Sequence, residues 1–222
     1  MARLPISALR RALQEEFRSL PPMTVSWRPE RVDRDMAIMA GKNAYAGLVA
    51  PEDFLGVTSR ESRINEILDE TGPLDVERLS RLRNIWDQET PFLNFVETRH
   101  GPHKGKPLNS GHEGRHRTTA LGRAGARRVP VLIRPQVDYY QGGTSRDWVP
   151  PESGNMRMLS DRFTGEWPAR VTNLTPYTPE NRDAILNLGG RSKNHLAYSL
   201  PILLSALAGA LGGMKARESQ GA

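Results

Sequence analysis

Cysteine is absent from all 222 residues. That one absence removes disulfide bonds, thiolate zinc sites, iron–sulfur ligation and cysteine nucleophiles together. Met1 to Phe17 carries arginines but no continuous apolar core and no small-residue cleavage site, so it does not read as a secretory leader. A cytoplasmic protein is the expectation, virion-associated if the chain is phage-encoded. The sequence has no internal repeat, and no clear strand stands out before Gly47.

What is present fits a folded chain with many loops. Hydrophobic residues at 37% and charged residues at 25% exclude a wholly disordered protein, while 20 Gly and 17 Pro require frequent turns. The length allows one substantial domain with appendages.

Charge is concentrated in one place. Between Glu97 and Arg134 there are nine Lys/Arg against two acids, which leaves the rest of a chain of net charge +6 close to neutral. Clustered around a Gly-rich turn, this basicity points to an anionic partner; a solvated basic face is the plainer alternative.

Periodicity predicts the elements around that cluster. Ser7 to Phe17 has Ala8, Leu9, Ala12, Leu13 and Phe17 on one helical face, with Ser7 as N-cap, and Val32 to Ala40 reads as a weaker helix. Leu74 to Gln88, capped by Asp75 and striped by Val76, Leu79, Leu82 and Ile85, is another helix. Pro91 to Val96 suits a strand, joined by the basic loop Gly101 to Pro107 to a return strand at Leu108 to Gly111. Thr118 to Ala124 is a short helix stopped at Gly125, and Val129 to Ile133 a buried strand. After Pro135 the chain reads as irregular until a helix from Pro179 to Leu188. Leu196 to Met214 is free of charge; its length reaches the spanning threshold, but Pro201 and three glycines favour a helix packed on the core or on another subunit over one in a membrane.

The residues that carry chemistry lie in one run, Gly111-His112-Glu113-Gly114-Arg115-His116-Arg117. Unpaired N–H groups at a helix start favour anions, Arg115 and Arg117 offer forked charged donors, and His112 and His116 add further donors. Gly111 and Gly114 let a ligand approach the backbone. Phosphate is the natural guest, and a turn satisfied by carboxylates of its own chain is the alternative. Glu113 could hold a metal ion against a phosphate or pair with Arg115 or Arg117.

From Leu108 to Arg134 the sequence LNSGHEGRHRTTALGRAGARRVPVLIR resembles the core of the ParB/sulfiredoxin-like superfamily: a strand, a Gly-x-x-Arg or Gly-x-His-Arg turn, an alanine-rich helix and a Val-Pro-Val strand. The resemblance covers about residues 50 to 135. It implies an α+β fold, a small mixed sheet with short helices, and gives Gly114, Arg115, His116 and Arg117 the task of binding nucleotide phosphates. It implies a nucleoside triphosphate with Mg2+ as cofactor, nucleotide or nucleic acid as partner, and phosphoryl transfer, nucleotide hydrolysis or phosphodiester cleavage as chemistry. It also sets Glu52, in Pro51-Glu52-Asp53, as candidate catalytic base beside Glu113; helix capping is the other reading of Glu52. Sulfiredoxin chemistry is excluded because it needs a cysteine, and no helix-turn-helix pattern follows the motif.

On this reading residues 1–49 are a helical extension, 50–135 the ParB/sulfiredoxin-like domain, 136–194 a Gly/Pro-rich irregular extension and 195–222 an apolar C-terminal helix and tail, a route to a homo-oligomer. Two alternatives stand beside it. One is a non-enzymatic assembly module of phage virion type with a basic nucleic-acid-binding loop. The other is a zinc hydrolase using the literal His-Glu-x-x-His of His112, Glu113 and His116, which needs that run to be helical.

Overall fold

The computed structural model of the chain describes residues 6–19, 21–22, 24–39, 43–58, 90–97, 104–135, 137–138, 143–144, 154–160 and 167–189. The fold is α+β. Helices α1 (Ile6–Arg18) and α2 (Pro29–Met39) precede β1 (Tyr45–Val49) and α3 (Pro51–Thr58). Then follow β2 (Phe92–Glu97), β3 (Pro107–Glu113), α4 (Arg115–Arg123), β4 (Val129–Pro135) and a small pair, β5 (Val137–Asp138) and β6 (Gly143–Thr144). Finally β7 (Met156–Ser160) and β8 (Ala169–Pro176) lead through a 3-10 turn (Pro179–Asn181) to α5 (Arg182–Leu186).

Six strands close into a barrel in the order β1-β4-β2-β3-β7-β8, with β8 paired back onto β1. Neighbours are antiparallel except β2 with β4 and β3 with β7. The interior is set by alternation: Leu93 and Phe95 of β2, Val129, Val131 and Ile133 of β4, and Met156 and Met158 of β7 all lie in one buried cluster. Phe54 and Val57 of α3 and Leu121 of α4 join it. Burying a side chain such as Phe95 or Leu93 contributes about 1.5–3 kcal/mol. A second cluster lies outside the barrel, where Val32, Met36 and Met39 of α2 and Ile185 of α5 cover Ala46 of β1 and Leu132 of β4.

The two N-terminal helices, the β2–β3 hairpin and the β4 strand lie where periodicity expected them. Three differences have physical causes. Strand β1 is buried on both faces, so Tyr-Ala-Gly-Leu-Val lacks the alternation that marks a strand. Gly47 sits at its bulge against β8, where a Cβ would fall 2.5 Å from Val171 Cγ1. The stretch after Pro135, expected to be irregular, holds β7 and β8 of the barrel itself. The expected helix Pro179 to Leu188 is a 3-10 turn followed by the short α5. The helix expected at Leu74 to Gln88 and the segment Leu196 to Met214 lie outside the described residues, and among the described residues no helix is long and apolar enough to cross a membrane.

Helix α1 docks by one face of its amphipathic pattern. Leu13 and Phe17 are buried, and Phe17 rests on Gly122 of α4, where a Cβ would stand 3.0 Å from the ring. Around them Arg123 Nε donates to Glu16 Oε1 at 2.7 Å and Arg127 Nη1 to the Phe17 carbonyl at 2.6 Å.

Candidate anion-binding turn

Strand β3 runs directly into helix α4 through Gly114. The β2–β3 register pairs Phe92 with Glu113, Leu93 with His112 and Asn94 with Gly111, then shifts so that Phe95 meets Asn109 and Ser110 is the extra residue. Gly114 adopts φ +103°, a left-handed conformation, and a Cβ there would lie 2.7 Å from Pro91 Cβ and 2.9 Å from Pro91 Cα. Both conditions demand glycine.

The helix therefore begins at Arg115, three residues earlier than its apolar pattern suggests, because Gly114 turns the chain sharply enough to place Arg115, His116 and Arg117 in the first turn. Gly114 is the N-cap, and no side chain caps the helix; its first turn holds no acid. The carbonyl of Gly114 accepts the Thr118 N–H at 2.9 Å. The C-terminus matches expectation: Gly125 at φ +97° ends the helix in a Schellman arrangement, Ala126 N–H to Leu121 O at 2.9 Å and Gly125 N–H to Gly122 O at 3.0 Å.

The turn brings together the expected residues, in unequal settings. Arg117 is buried, its Nη2 3.8 Å from Oε1 of Glu113, which is 62% exposed. His116 is exposed and Arg115 half-buried, with the Arg115 carbonyl accepting Thr119 Oγ1–H at 2.9 Å. His112 is half-buried on the strand face it shares with Leu93, and Gly111 lies opposite Asn94. Glu113 is thus the acid held beside the cations, at ion-pair rather than hydrogen-bond distance.

Glu52 sits elsewhere. It lies in the first turn of α3, buried, where Oε1 accepts Gln14 Nε2–H at 3.4 Å and stands 3.8 Å from Arg18 Nη2. Its neighbour Asp53 takes Arg10 Nη2 at 2.6 Å and the backbone N–H of Arg170 at 3.4 Å. These carboxylates lie in the first turn of α3, where acids complement the helix dipole, and their hydrogen bonds tie α1 and β8 to it. A base for a bound hydroxyl needs a reachable oxygen, and the Glu52 carboxylate faces α1.

The zinc reading fails on backbone geometry. His112 and Glu113 end a strand, Gly114 reverses the chain, and His116 starts a helix, so the two imidazoles do not share a helical face at i and i+4. Among the described residues no group of three metal-ligating side chains comes together. Glu113 alone suits the lesser part of a magnesium site, in which one carboxylate joins a cation brought in by substrate phosphates.

Two features beside the turn escape sequence reasoning. Asn109 is buried on β3 and its Nδ2–H donates to the Val57 carbonyl at 3.0 Å near the end of α3, tying the α3 C-terminus to the strand that feeds the turn. Arg134 of β4 lies over the Phe92 ring, 3.3 Å from its centroid, and its Nε–H donates to Asn94 Oδ1 at 3.0 Å. Inward alternation at Leu93 and Phe95 is the signal that turns Phe92 and Asn94 outward. No protein-family model, no curated protein and no solved structure matches this chain.

Proposed function

We propose that the β3–α4 turn binds the phosphate of a nucleotide or nucleic acid, and that the chain is a ParB/sulfiredoxin-like protein built around it. One observation carries the reading: three basic residues stand in the first turn of a helix whose N-terminus has neither acid nor side-chain cap. Cations there oppose the helix dipole by about 0.3–1 kcal/mol each, the reverse of what helix stability favours. A bound phosphate removes the conflict by bringing negative charge to the helix N-terminus beside Arg115, His116 and Arg117.

The chemistry this arrangement supports is electrostatic. Were a nucleoside triphosphate bound, the Arg115 and Arg117 guanidiniums would stabilise charge on its phosphates, and Glu113 would be the carboxylate available to a magnesium ion carried by the ligand. Phosphoryl transfer, nucleotide hydrolysis and phosphodiester cleavage share that requirement. Further support comes from the order strand, basic turn, helix and Val-Pro-Val strand across residues 107–135.

The test is calorimetric titration with CTP, ATP and ADP, with and without magnesium, on the wild type, Arg115→Ala, His116→Ala and Arg117→Ala. Saturable binding weakened by the two more accessible changes supports the reading. Failure of the wild type to bind these ligands, inorganic tripolyphosphate or any oligonucleotide sinks it.

A further inference from the structure

We propose that the outward face of β2, β3 and β4 beside the turn is a stacking strip for single-stranded nucleic acid. This rests on the phosphate reading of the turn and deepens it, naming a polynucleotide rather than a free nucleotide as the ligand. Leu93 and Phe95 are fully buried in the barrel, so Phe92 and Asn94 point outward. Arg134 joins them there, stacked 3.3 Å from the Phe92 centroid and bonded to Asn94. Across the β2–β3 pair Phe92 stands opposite Glu113, whose carboxylate is 3.8 Å from Arg117. A guanidinium, an aromatic ring, the exposed Glu113 carboxylate and the basic turn therefore follow one another along this face.

The middle of the strip is low. The bulge puts the small, exposed Ser110 on β3, and Gly111 opposite Asn94 has no side chain; a Cβ there would press to 3.1 Å from Asn94 Nδ2. At the other end of β3 the exposed Lys104 and Lys106 precede Pro107. A strand of seven residues spans roughly 20–24 Å. Cations thus bracket a strip long enough for several nucleotides, with only Ser110 and Gly111 rising from β3 between them. Stacking on aromatic and guanidinium planes along a basic track is the chemistry by which single strands are held without base readout. A mononucleotide would use the turn alone. Phe92 also packs on the edge of the α2–α5 cluster, so its substitution has to keep that contact.

The deciding experiment measures fluorescence anisotropy of a labelled oligothymidylate and of a duplex, with inorganic tripolyphosphate titrated separately by calorimetry. Wild type is compared with Phe92→Leu, which keeps apolar contact with the core, and with Arg134→Gln. The expected result is oligothymidylate binding weakened about tenfold or more by each change, the scale of one lost base stack, with tripolyphosphate affinity unchanged. Photocrosslinking of a bromouracil oligonucleotide to wild type, with crosslinks on β2 or β3, reads the same contact without depending on how a variant folds. Oligonucleotide binding that ignores both changes and crosslinks elsewhere overturns the strip while leaving the turn intact. Equal affinity for duplex overturns single-strand preference. If neither tripolyphosphate nor oligonucleotide binds the wild type, the turn and the strip fall together.

Discussion

Gly114 lies against Pro91 so closely that a methyl group added to it would overlap the proline ring at 2.7 Å. The residue before β2 and the residue before α4 are thereby packed backbone to ring, and the direction in which α4 leaves the sheet follows from that contact.

Gly114→Ala should therefore destabilise the protein for two reasons, its left-handed φ and the clash with Pro91. A loss of about 1–3 kcal/mol is expected from the backbone conformation, seen as a lower urea midpoint. Phosphate-ligand affinity should fall in the same variant even under conditions where it is folded, because α4 can no longer leave the sheet at its native angle.

Arg10→Ala should loosen α1. Its guanidinium bonds Asp53 at 2.6 Å and lies 6.0 Å from the centroid of the Trp167 ring, and Asp53 is buried. Because Arg10 keeps 30% of its side-chain exposure, the loss should be about 1–2 kcal/mol, below the full range for charged hydrogen bonds. Limited proteolysis should cut within residues 6–18 sooner in the variant than in wild type.

The pair Asp33–Arg182 joins α2 to α5 and gives an acid-side signature. Arg182 Nη2 donates to Asp33 Oδ2 at 2.8 Å, and this hydrogen bond holds the Asp33 carboxyl below its ordinary value. A carboxyl with a lowered folded-state value adds stability above its unfolded value of 3.8, and loses it as pH falls through the folded one. The difference in Tm between wild type and Arg182→Met should be constant near neutrality and shrink as pH drops below the ordinary carboxylate range. A difference that grows in acid would contradict the pairing.

Binding of nucleic acid through this turn should be steeply salt-dependent, since neutralising phosphates releases counterions. Arg115→Ala should lower the slope of log Kd against log salt by about one unit. An unchanged slope would show that Arg115 contacts no phosphate.

The candidate site was the most legible part of the sequence, because its residues are neighbours in the chain and their charge and glycine content need no tertiary context. Helix α1 and the β2–β3 hairpin were readable for a similar reason, their burial being one-sided and leaving a period. Strand β1 leaves none, having both faces covered. Strand β8 carries a bulge at Asn173, whose φ of 57° breaks the alternation. The stack of Arg134 on Phe92 depends on a parallel β2–β4 pairing that no local pattern announces. The role of Glu52 was obscured because only the docked α1 reveals where its carboxylate faces.

The seam between β1 and β8 carries a consequence for how the molecule comes into being. Val49 pairs with Val171 and Tyr45 with Pro176, so the ring of strands cannot shut until the chain has been synthesised almost to α5. Until then β1 has one unpaired edge, and β2, β3 and the basic turn are already outside the ribosome. Closure over so long a loop is slow, and a nascent chain held at this stage presents both an open sheet edge and a patch of positive charge. Polyanions should therefore accelerate or trap its refolding before the finished barrel ever meets a ligand.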